Sequence, residues 1–158
     1  MADDGATPSG GSATAAEDAA LQEALAAAHT TVWGYGVVGA ALPADARSLV
    51  VTGEQANRDL RDQVAALLTS RGVDPVAAQA AYTLPFPVRS AADAASLAVT
   101  LEEGSSRAWT WVLDQATERS TREIGVAALS AAELRAVAWR RQVGTTPPTT
   151  AFPGLPDS

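Results

Sequence analysis

Apolar residues recur at intervals of three and four along most of this chain, the spacing that gathers side chains on one face of an α-helix. A first run spans about Glu17 to Ala41, with Leu21, Leu25, Ala28, Val32, Tyr35 and Gly39 along one side, and Pro43 ends it. A second spans about Ala44 to Ser70 and aligns Leu49, Gly53, Asn57, Leu60, Val64 and Leu67. Arg71-Gly72 is its stop, a basic last turn followed by glycine. Ser90-Ala-Ala-Asp93, a serine with a carboxylate three residues on, predicts the cap of a third helix that runs to about Thr117. Its expected inner face is Leu97, Leu101, Gly104, Ala108, Trp111 and Val112. Ser120-Thr-Arg-Glu123 has the form of a capping box and predicts a fourth helix to about Val143, burying Val126, Leu129, Glu133, Ala136 and Val143.

The links between these runs predict a topology. The first and third links are short and the middle one, Gly72 to Arg89, is long and extended around Pro75, Pro85 and Pro87. Its alternating Leu84, Phe86 and Val88 are expected to lie half-buried along the surface. Two antiparallel hairpins joined by one long crossover make the ferritin-like arrangement of an all-α four-helix bundle. A helix of ~25 residues spans ~37 Å, which an extended link of this size reaches. Residues 1–17 are mostly Gly, Ser, Thr, Ala and Asp and read as a disordered N-terminal tail. The bundle then covers 18–143, and 144–158 is a Pro-rich extended C-terminal tail.

Composition narrows the chemistry. The chain of 158 residues has no cysteine and one histidine, His29. That removes thiol nucleophiles, disulfides and Cys-ligated metals. The net charge of −7 makes nucleic acid and anionic membrane poor partners. No apolar run approaches the ~20 residues of a membrane span, and the acidic start has no secretory pattern, so a cytoplasmic location is expected. Lysine is absent and alanine makes up about a quarter of the chain, which points to a GC-rich coding sequence.

The segments Leu21-Gln-Glu-Ala-Leu-Ala-Ala-Ala-His29, Val32-Trp-Gly-Tyr-Gly36, Tyr82-Thr-Leu-Pro-Phe-Pro-Val88, Leu101-Glu-Glu103 and Ala151-Phe-Pro-Gly-Leu-Pro156 resemble an actinobacterial ferritin-like domain family of unknown function, distantly rubrerythrin-like. The resemblance covers about residues 18 to 156 and implies the fold but no activity.

Ferritin-like bundles that hold two metal ions draw a Glu from each of two helices and Glu-x-x-His from each of the other two. Here Glu54-Gln-Ala-Asn57 has the spacing with asparagine in place of histidine, and Glu133-Leu-Arg-Ala136 has it with alanine. Glu102 or Glu103 is available on the third helix, and on the first Ala28 stands where a glutamate is expected, beside His29. No bound metal or cofactor is therefore expected, and Glu54, Asn57, Glu102, Glu133 and His29 are vestigial candidates. A lone histidine at the stripe's edge reads as a flank residue with one hydrogen bond. Glu133, within an apolar stripe, needs a partner, and Arg61 and Arg140 are the candidates for a buried polar network with it.

Trp33, Trp109, Trp111 and Trp139 read as core or groove packing. The expected function is a non-enzymatic structural or protein-interaction domain, with a homodimer as the expected association and the specific protein partner unspecified. The alternatives are a di-iron or di-manganese oxidoreductase with an atypical ligand set, and a carrier of a small apolar ligand in a tryptophan-lined cavity.

Overall fold

The computed structural model describes residues 9–155. Four long helices pack side by side: α1 (Ser9–Ala41), α2 (Ser48–Ser70), α3 (Ala91–Gln115) and α4 (Arg119–Gln142), with a 3-10 turn at Ala44–Ala46 between the first two. No strand occurs among the described residues. No helix among them is long and apolar enough to cross a membrane.

The expected tail is shorter than its composition suggests. α1 begins at Ser9, two turns before Glu17, and carries an alanine-rich stretch that needs no core to favour a helix. The part of that tail at residues 1–8 lies outside the described residues, as do the last residues, 156–158.

α1 packs against α2 and α3, and α3 against α4, whereas α2 and α4 touch sparingly. The start of α1 meets the end of α2 through Asp18 and Arg71, and its last turns meet the start of α2, where Gly39 faces Val50. α3 and α4 meet through Glu103 with Arg140, Ser106 with Glu133, and Leu113 with Gly125. The core forms two apolar clusters. One holds Leu21, Leu25, Val64, Leu68, Trp109 and Val112. The other holds Tyr35, Val38, Val50, Leu97 and Trp139, with Leu84, Phe86 and Val88 of the crossover packed on it.

The helix faces depart from the expected stripes on α3 and α4. Trp109, not Trp111, is in the core; Trp111 is 45% exposed. On α4 the inner line is Thr121, Gly125, Ala128, Ala132, Ala136 and Trp139, and Val126 is 57% exposed. Small residues line the contact because they let α4 approach α3 closely: a Cβ at Gly125 would stand 2.8 Å from Leu113.

Ser90 caps α3 by accepting from Asp93 N at 3.1 Å, and Asp93 Oδ2 accepts from Arg89 N at 3.0 Å. These backbone and serine donors hold the Asp93 carboxyl below its ordinary range. Gly72, at φ +74°, ends α2 in a Schellman turn with Val73 N donating to Leu68 O and Gly72 N to Thr69 O. The capping box expected at Ser120 does not form. α4 starts two residues earlier, after Glu118, whose side chain makes no cap. A carboxylate from α1 serves instead.

Candidate functional site

Glu102 lies midway along α3 and is fully buried. Its Oε1 accepts one hydrogen bond from each of the other three helices: Tyr35 Oη at 2.6 Å, Asn57 Nδ2 at 3.1 Å and Arg135 Nε at 2.8 Å. Tyr35 in turn accepts from Trp139 Nε1 at 2.9 Å, so its own proton is committed to Glu102. Asn57 Nδ2 also donates to Gly53 O at 2.9 Å, and two acceptors fix which end of the amide points at the carboxylate. Gly53 is required here: an added Cβ would fall 2.5 Å from the Tyr35 hydroxyl. Burial, then the neighbouring Glu102 carboxylate, pushes the Tyr35 phenol up, which keeps it a donor across the ordinary pH range.

A carboxylate buried this far costs several kcal/mol unless a cation pairs with it. Arg135 supplies that charge from α4, its side chain 16% exposed beside a fully buried partner. Asn57 Oδ1, Glu102 Oε2 and Arg135 Nη2 are buried without a hydrogen-bond partner in the protein.

This arrangement does not fit a pair of metal ions. One carboxylate stands at the centre, and the Arg135 guanidinium already pairs with it. A divalent ion bound to the same carboxylate would be repelled by that guanidinium in a low-dielectric interior. Among the described residues no three His, Cys, Asp or Glu side chains gather in a way capable of holding a metal ion.

The sequence-derived candidates separate. Asn57 and Glu102 come together. Glu54 does not join them: it pairs with Arg58 on the outer side of α2. His29 lies outside the core, Nε2 facing Val76 O of the crossover at 3.1 Å. Glu133 sits in a different cluster, where it accepts from Ser106 Oγ and, at 3.4 Å, from Arg140 Nη1. Arg140 also reaches Glu103 at 2.9 Å and Pro148 O of the C-terminal tail at 3.2 Å. Arg61 takes no part in that network; its Nε donates to Asp62 at 2.8 Å on the surface. Thus Glu102 and Glu103, adjacent in sequence, serve two separate clusters.

Sequence reasoning missed the residues that complete the centre, Tyr35, Arg135 and Trp139. The signal lay in Arg135 and Trp139 at i and i+4, a cation and an indole on one side of α4.

It also missed Glu17. This buried carboxylate accepts from Thr117 N at 2.7 Å, Thr117 Oγ1 at 2.6 Å, Glu118 N at 3.0 Å and Arg71 Nη2 at 2.7 Å, and from the Thr121 hydroxyl. Arg71 donates to Asp18 as well. Glu17 therefore caps α4 from another helix and ties three helix ends together. Burial would raise its pKa; the hydrogen bonds from Thr117, Thr121 and Arg71 outweigh burial and hold the carboxyl far below the usual range. Burial likewise acts to lower Arg71, and its Glu17 and Asp18 partners outweigh it and raise it.

Residues 20–157 match the model of a family described as a domain of unknown function, DUF4439. The fold is similar to the crystal structure of a conserved hypothetical protein, Rv2844, from Mycobacterium tuberculosis, at 40% identity and a TM-score of 0.82 over 89% of this chain and 99% of that one. No curated protein sequence matches.

Proposed function

The chain belongs to the domain-of-unknown-function family DUF4439, and on that premise we propose that it is a ferritin-like bundle whose metal centre has been replaced by an ion pair, acting as a structural or protein-interaction domain. The observation that carries this is Arg135 donating to the buried Glu102 at 2.8 Å, at the level of the bundle where Asn57 stands in a metal-ligand position. The order of contacts supports two antiparallel hairpins. The end of α1 faces the start of α2, the end of α3 faces the start of α4, and Glu17 near the start of α1 meets Thr117 after the end of α3. One long crossover between hairpins is the ferritin-like connection.

The proposed setting is cytoplasmic, with a homodimer or an unspecified protein partner, and with no nucleic acid bound. Association is supported by the α2–α4 side. Sparse contact there leaves a groove of about 520 Å³ lined by residues such as Leu60, Ile124, Ala127 and Ala131, and α4 also exposes Leu134 at 73%.

Thermal unfolding with added Fe(II) or Mn(II) tests the metal reading, because a ligand bound to the native state raises the midpoint. The expected result is no rise. A rise that Glu102→Gln abolishes would overturn it. Light scattering across concentration tests association: a mass that grows toward a dimer is expected, and a constant monomer mass refutes it.

A further inference from the structure

A second cavity, of about 360 Å³, lies on the opposite side of the molecule from the α2–α4 groove, between α1, α3 and the crossover. Leu97 and Leu101 line it from α3, Trp33 from α1, and Tyr82 and Leu84 from the crossover. The Trp33 and Tyr82 rings are tilted at 52° with centroids 5.7 Å apart. No charged side chain lines the space. Three of its four threonine hydroxyls have spent their protons or share them: Thr30 donates to Ala26 O at 2.9 Å, Thr100 to Ser96 O at 3.1 Å, and Thr31 shares a bond with Ser105.

Gly104 lines the space from α3 without a side chain. Gly34, Gly53 and Gly125 are forced by close neighbours, since a Cβ at each would fall 2.5 to 2.8 Å from Leu101, Tyr35 or Leu113. Gly104 is not. A Cβ there meets only the Arg107 guanidinium, at 3.9 Å. A glycine in a helix interior costs about 1 kcal/mol relative to alanine, and no helix contact at Gly104 offsets that. Its place in the wall leaves room for a larger side chain there.

The roof is held from the side as well. Gln22 clamps the crossover through Asp74 O at 2.6 Å and Val76 N at 2.7 Å, His29 meets Val76 O, and Phe86 and Val88 anchor its far end on the core.

We propose that this cavity binds an uncharged, ring-bearing apolar molecule, stacked against Trp33 and Tyr82 and donating at most a hydrogen bond to a threonine hydroxyl. No charged side chain lines the space, so a charged ligand would be buried among apolar groups at high cost. A volume near 360 Å³ is within the range of small-molecule sites. The proposal is independent of the metal reading, since none of the Glu102 cluster lines the space.

N-phenyl-1-naphthylamine, an uncharged fluorescent ring compound, is the probe. Titrated into the full chain, it is expected to bind saturably at one site per chain, with energy transfer from tryptophan that Trp33→Phe reduces. Gly104→Leu and, from the opposite wall, Ala27→Phe fill the space and are each expected to weaken binding at least tenfold. Gly36→Leu, an exposed glycine on α1 with open space around it, should leave binding unchanged. Absence of saturable binding to the unaltered chain overturns the proposal whatever the variants do. So does unchanged affinity in a folded Gly104→Leu or Ala27→Phe protein.

Discussion

Single residues carry opposite burdens at the two ends of the Glu102–Arg135 pair. Glu102 has no route to solvent, whereas Arg135 lines the α2–α4 groove and has one. Removing the arginine strands a buried carboxylate, and Arg135→Met is expected to cost about 3–5 kcal/mol in urea unfolding at pH 7. Glu102→Gln is expected to cost less, because the freed guanidinium turns toward the groove and the amide oxygen still accepts from Tyr35. The double variant should be more stable than Arg135→Met alone, a non-additivity that equilibrium unfolding reads directly. Glu17 gives a pH signature of its own. Its folded pKa lies below the ordinary value of 4.5, so its contribution is complete above that value and is lost as pH falls through the folded one. Stability should therefore decline as pH drops below about 4.5. Glu17→Gln should be less stable at pH 7 by about 1.5–3 kcal/mol, the range for hydrogen bonds to a charged group, with a shallower acid limb.

Elements differ in how far the sequence reveals them. The four helices, the extended crossover and the Ser90 and Gly72 boundaries follow from periodicity, capping chemistry and glycine placement, because each depends on neighbours within a few residues. The inner faces of α3 and α4 do not. Alanine and glycine carry the contact there, and large apolar residues such as Val126 and Trp111 face outward, so a size-weighted stripe points the wrong way. The cap of α4 was illegible for a related reason: its acceptor, Glu17, is a hundred residues away from Thr117. Two glycines make the packing argument measurable. Gly53→Ala should destabilise by about 1–3 kcal/mol, since overpacking against Tyr35 exceeds the gain in helix propensity. Gly36→Ala, where nothing lies within 4 Å, should stabilise by about 0.5–1 kcal/mol. Thermal unfolding of the pair checks both signs.

At the scale of the whole molecule, polar clusters hold the bundle at three places: Glu17 with Arg71 at the helix ends, Glu102 with Arg135 in the middle, and Glu133 with Arg140 beneath the tail. Each joins a carboxylate to an arginine, the one basic residue type in the chain that forks to two acceptors. The middle cluster carries the functional reading proposed above, since it buries a carboxylate that an arginine already pairs with at the centre of the bundle. The candidate ligands were legible from spacing, and their dispersal was not, because the i, i+3 rule places Glu54 and Glu133 near a face without saying which neighbour claims them. Elemental analysis of protein produced with iron and manganese supplied and purified without chelator tests this claim most directly. The account predicts metal far below one ion per chain, unchanged by Glu102→Gln. Near-stoichiometric iron or manganese that disappears in Glu102→Gln would contradict it.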